Sequence, residues 1–206
     1  MTIFALTFPL LFIFHDLEEI IGLRHFINRN ADMLQSRFPF LYKRFRNFTT
    51  EGFALAVMEE FIVFTVISLV AIYFDKSLCW NIWFGGFLGL TAHYVVHIGQ
   101  ALVIRRYIPA LITSIICLPI SILILYHSYS LIEINVWHIV IGIAIVALNM
   151  IPALKIAGKG SQNENKWWRK KTFPSSLIRY FMTIFLPLTI YMPFGCTSVT
   201  LRPCRS

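Results

Sequence analysis

A chain of 206 residues that is 57% apolar and only 14% charged cannot cover its apolar surface as a soluble domain, where charged residues make up roughly a quarter. Its net charge of +8 would suit nucleic acid only if Lys and Arg gathered on one soluble face. They fall instead in short gaps between long apolar runs, the pattern of loops beside a membrane, and this excludes a nucleic-acid groove.

The first run, 3–23, is long enough to cross a bilayer, which takes about 20 apolar residues. It ends in His15-Asp16-Leu17-Glu18-Glu19. No basic segment precedes it and no small-residue cleavage site follows, so it reads as a span and not as a removed signal. The gap 24–51 holds Arg24, Arg29, Arg37, Lys43, Arg44 and Arg46, interleaved with Phe38, Phe40, Tyr42, Phe45 and Phe48. That mixture fits an ordinary basic loop with aromatic anchors; an amphipathic helix lying on the leaflet is the alternative.

Four more runs of spanning length follow, at 52–74, 80–104, 108–128 and 136–155. Lipid leaves backbone groups unsatisfied outside a helix or a closed barrel, and these runs are too long and continuous for barrel strands. The fold class expected is therefore all-α, a multi-pass bundle of five spans over 1–156. A basic linker follows at 157–176, with Trp167 and Trp168 beside Arg169, Lys170 and Lys171. The apolar stretch 177–195, within the tail 177–206, fits either a sixth span or an interfacial segment. The gaps alternate between basic and nearly free of Lys and Arg, which places the N-terminus outside and the basic gaps in the cytoplasm of a cell membrane. Of the four cysteines, Cys79, Cys117, Cys196 and Cys204, none forms a CxxC pair, so neither a disulfide framework nor a thiolate zinc site is expected. Cys117 packs as a small hydrophobe.

Ionisable groups inside spans cost several kcal/mol each and generally mark function. His15, Glu18 and Glu19 stand at i, i+3 and i+4, one helical face. The second span carries Glu59-Glu60, and the third carries His93 and His97, an HxxxH spacing that aims two imidazoles at one point. Counted from the nearest basic gap at 1.5 Å per residue, all lie about 8–18 Å inside the cytoplasmic end. Thr113, Ser114 and Asn149 reach the same level. His25, His127 and His138 lie near span ends and read as interfacial.

Four glutamates cannot stay ionised in a dry layer without compensation. Protonation, pairing with Arg24, or a bound cation would each supply it. The expected cofactor is a divalent metal, either one zinc or a dinuclear iron or manganese pair of the kind helix bundles hold with Glu and His. The candidate ligands are His15, Glu19, Glu59, His93 and His97. Glu18 and Glu60 are the candidate catalytic bases toward a metal-bound water.

At His15-Asp16-Leu17-Glu18-Glu19 the chain resembles the HXXEE family of small bacterial and archaeal multi-pass membrane proteins, named for this motif. Glu59-Glu60 and His93-x-x-x-His97 look like its pattern too, so that the resemblance spans about 1–155. It implies the topology and the polar site and supplies no reaction. Intramembrane glutamic proteases of the CAAX-processing type offer a chemical analogy only: Arg24 stands one residue beyond their spacing from the Glu-Glu pair, and position 89 is Gly where they carry Phe.

Three functions fit these residues: a metal-dependent membrane enzyme, hydrolytic or lipid-modifying, on a lipid-like substrate; a small proton-coupled transporter; and a membrane scaffold or immunity-type protein without chemistry. Against the transporter, no two-fold repeat is evident and no span is clearly broken at mid-membrane. Gly85, Gly86 and Gly89 fit close helix packing. The bilayer is the one partner the composition implies; oligomeric state is left open.

Overall fold

The structure, a computed structural model, describes residues 1–163. It is all helical there: α1 (Thr2–Ala5), α2 (Thr7–Arg29), α3 (Ala31–Arg37), α4 (Pro39–Phe45), α5 (Thr50–Phe74), α6 (Ser77–Ile104), α7 (Leu111–Tyr129) and α8 (Val136–Asn163). The basic residues Lys166 to Lys171, the stretch 177–195 with its proposed sixth span, Cys196 and Cys204 lie outside the described residues.

Four helices, α5, α6, α7 and α8 up to Gly158, are long and apolar enough to cross a membrane. Their large aliphatic side chains stay exposed around the bundle, among them Ile62, Leu102, Ile115, Leu123 and Leu148. An outer surface of that kind suits lipid and not water.

The first run departs from the expected continuous span. A turn at Leu6 separates α1 from α2, and α2 runs six residues past the expected end, to Arg29. Asp16, Glu18, Glu19 and Arg24 all lie on α2, so it is not among the four on composition. The break has a chemical reason. Pro9 stands where a helix would offer Ala5 its donor, and proline has no N–H. The Trp83 indole of α6 supplies the missing proton, with Nε1 3.0 Å from the Ala5 carbonyl oxygen.

The expected loop 24–51 is two short helices and not one amphipathic helix. Pro39 opens α4, a position where its missing N–H costs nothing. Phe48 is buried against Ala56, Ala153 and Ala157, whereas Phe40 is exposed. Arg24, weighed above as a partner for the acids, donates instead to the carbonyls of Phe48 (2.8 Å) and Arg46 (3.4 Å). It fastens this segment to α2.

The long helices have ordinary ends. Thr49 caps α5, its hydroxyl accepting from Gly52 N at 3.0 Å, and Asp75 and Arg105 end α5 and α6 in the left-handed conformation. Within the bundle, α6 packs against α5, α7 and α8, while α2 lies against α5 and α7. The tightest crossing is that of α6 and α8. A Cβ on Gly85 would overlap the Ile139 carbonyl, and one on Gly142 would overlap the Ile82 carbonyl. At the same end, buried Asn81 donates to the Glu133 carbonyl and accepts from Asn135 N, each at 2.8 Å, which ties the α7–α8 turn to α6.

Candidate metal centre

Aromatic packing sets the floor of the site. Phe8 stacks on Phe64 with ring centroids 4.6 Å apart, Phe12 meets Phe64 edge-on at 4.6 Å, and Phe8 meets Phe87 edge-on at 5.7 Å. These contacts hold α2, α5 and α6 together one to two turns from the polar residues, which fixes the rotation of each helix about its axis.

With that rotation, three of the six histidines meet. The rings of His15 and His97 lie 5.0 Å apart, those of His15 and His93 5.4 Å, and those of His93 and His97 4.4 Å. The two Nε2 atoms of the HxxxH pair are 2.9 Å apart, and His97 Nε2 is 4.0 Å from a Glu19 carboxylate oxygen. One donor atom from each of His15, Glu19, His93 and His97 lies within 4.8 Å of the others. A tetrahedral zinc with bonds of about 2.05 Å sets its ligands roughly 3.3 Å apart. To close on one cation, a pair at the 4.8 Å limit would draw in by about 1.5 Å and the His93–His97 pair would open slightly.

Adjacent residues on a helix point about 100° apart, so the two Glu-Glu pairs divide. Glu19 and Glu60 face the interior. Glu18 faces α7, where its carboxylate accepts from Thr113 N (2.8 Å), Ile112 N (3.3 Å), Thr113 Oγ1 (2.7 Å) and the Tyr107 hydroxyl (2.5 Å). A carboxylate on the open N–H groups of a helix start is electrostatically favoured. Burial, and then the bond to Glu18, pushes the Tyr107 phenol up to about 12, so it remains a donor through neutral pH. Glu18, expected as a base at the cluster, thus caps α7. Glu59, expected among the ligands, stands apart as well, with Asn149 Nδ2 3.4 Å from its carboxylate. A dinuclear site built on all four glutamates is not what the helix rotations assemble.

Thr113 connects the cap to the cluster. With its proton given to Glu18, its oxygen accepts from His15 Nδ1 at 3.2 Å. That arrangement calls for the tautomer with the proton on Nδ1, which leaves Nε2 with a free lone pair. That atom is buried without a hydrogen-bond partner, as a metal-binding imidazole oriented through its other nitrogen would be.

Beside the cluster lies a cavity of about 590 Å³ whose walls include Asp16, Glu19, Glu60, His93 and His97. Asp16 is buried, and its Oδ2 has no hydrogen-bond partner. Sequence reasoning passed over it as a site residue, although its place between His15 and Glu18 and its cost inside an apolar run marked it. Gln100, one turn of α6 beyond His97, also lines the cavity; an uncharged polar residue near a span end gave no signal. His25 and His127 are exposed and His138 is half-buried; none of the three belongs to the cluster. Ser114 is buried on α7.

A family model described as "Protein of unknown function with HXXEE motif" matches residues 6–124. The match takes in α2, α5, α6 and most of α7, hence every residue of the cluster, and leaves out α8 with Asn149. No curated protein and no solved structure matches the chain.

Proposed function

We propose, for a chain that belongs to the HXXEE family of proteins of unknown function, that it is a membrane-embedded metalloenzyme acting on a lipid-like substrate. The carrying observation is that three imidazoles and one carboxylate, from α2 and α6, converge within 4.8 Å beside a largely apolar cavity. His15, His93, His97 and Glu19 would hold one divalent cation, zinc or iron by the nature of these donors. Such an ion supplies a Lewis acid and lowers the pKa of a bound water.

The remaining groups divide the work. Glu60, buried on α5 and facing the cavity, serves as the base that takes a proton from the attacking water and returns it to the leaving group. Glu18, through Thr113, holds His15 in the tautomer whose Nε2 can bind. The apolar walls exclude bulk water and seat the hydrocarbon part of the substrate. In this reading the bundle sits in the cell membrane with its N-terminus outside, its basic segments 24–46 and 105–106 in the cytoplasm, and the centre within the inner leaflet.

Elemental analysis of the protein purified in detergent tests the proposal. One equivalent of a transition metal is expected, lost or reduced below a tenth in His93→Ala and His97→Ala. Metal-free protein that binds no added zinc, iron or manganese would overturn it. Proton-coupled uptake by proteoliposomes, blocked by Glu60→Gln and indifferent to metal, would move the assignment to the carrier, since Asp16 and Glu60 beside an open cavity could relay protons too.

A further inference from the structure

The charges on the cavity wall are one-sided. Most of the wall is apolar, with Phe12, Phe53, Phe64, Val146 and Met150 contributing side chains. Its carboxylates and imidazoles are Asp16, Glu19, Glu60, His93 and His97, with the Tyr42 phenol beside them; among the described residues, no Lys or Arg lines it. Two cations at this end of the bundle are engaged elsewhere. Arg24 holds the carbonyls of Arg46 and Phe48, and Arg106 donates to Asn30 Oδ1 at 3.0 Å. Asp16, only 4% exposed, presents an oxygen with no partner at this wall, and a buried polar atom without a partner is costly.

We propose that the cavity takes an amphiphile with one long apolar chain and an amine head, the ammonium seated against Asp16 and Glu60. This rests on the proposed metal centre only in the arithmetic of charge. With a dication on the cluster, the three carboxylates, if ionised, keep one formal negative charge; without it, acids in so dry a wall cannot all stay ionised alone, and an ammonium supplies the missing compensation. In both states an ammonium is attracted and a phosphate repelled. A volume of about 590 Å³ lies within the roughly 300–1,000 Å³ that encloses most of a small ligand. Val96 of α6 and Ile143 and Ala147 of α8 line the cavity and are exposed, which makes this side of the cavity its opening in our reading. A chain can therefore enter sideways from lipid between these helices, beyond the close Gly85–Gly142 crossing.

The test compares three ligands of equal chain length, dodecylamine, dodecanol and dodecyl phosphate, on the full chain in an uncharged detergent, with bound ligand counted by native mass spectrometry. Dodecylamine should bind about tenfold or more tighter than dodecyl phosphate. Asp16→Asn should erase most of that preference while the metal content stays that of the parent. Two substitutions that fill the cavity from different helices, Ala147→Phe on the exposed side of α8 and Ala56→Leu on α5, should lower binding of all three ligands. Equal or tighter binding of the phosphate, or unchanged binding in both filled variants, overturns the proposal. Metal content is read on the same samples. A metal-free protein that still prefers the amine sinks the metal centre alone, and a metal-loaded protein without the preference sinks this inference alone.

Discussion

The hydroxyl of Thr113 joins two tasks that a single residue rarely combines. It gives its proton to the carboxylate that caps α7, and it takes one from the imidazole that completes the cluster. Removing it separates the two. Thr113→Val, close to it in shape, leaves Glu18 with the α7 N–H groups but strands His15 Nδ1 without its acceptor. Metal affinity should then fall by roughly 10–100-fold, the usual effect of losing a group that orients a ligand, and Thr113→Ser should restore most of it. Glu18→Gln weakens the charge at the helix start and should lower stability by about 1 kcal/mol. If Thr113→Val lowers the melting temperature but leaves zinc titrations unchanged, the hydroxyl serves the cap alone.

Helix by helix, two contacts decide how well the bundle holds its shape. Trp83→Phe keeps the stacking on Phe87 but leaves the Ala5 carbonyl without a donor, a loss of about 1–3 kcal/mol. Gly142→Leu drives a side chain into the Ile82 carbonyl, and the resulting overpacking should cost about 1–3 kcal/mol or more. Thermal unfolding followed by tryptophan fluorescence reads both. A Gly142→Leu protein as stable as its parent would mean that the α6–α8 crossing is looser than described. Most of this architecture could be read beforehand, because a run such as 52–74 has few other options in lipid. The turn at Leu6 could not. Pro9 is tolerated in a first helical turn, so its effect on Ala5 emerges only once Trp83 is known to lie opposite. The His15, His93 and His97 set was likewise open to spacing rules, since i, i+4 pairs share a face in any helix. Which member of each Glu-Glu pair looks inward was not, because rotation about the helix axis is set by distant packing such as Phe8 on Phe64.

At the scale of the molecule, polar residues of α2, α5, α6 and α7 share one level, whichever way each helix runs. Loops rich in Arg and Lys adjoin that level, at 24–46 and 105–106, and the opposite end carries Lys76 and a turn, 130–135, with no basic residue. If the basic ends face the cytoplasm, Asn47 and Ser130, both exposed, fall on opposite sides of the membrane. In a variant whose four cysteines are replaced, Ser130→Cys should react with a membrane-impermeant maleimide in intact cells, and Asn47→Cys only after lysis. The reverse pattern would turn the bundle over and move the cluster to the outer leaflet, where cytoplasmic lipids and metals could not reach it. The proposed substrate entry between α6 and α8 would then have to draw on the outer leaflet, so orientation constrains chemistry here as directly as any ligand does.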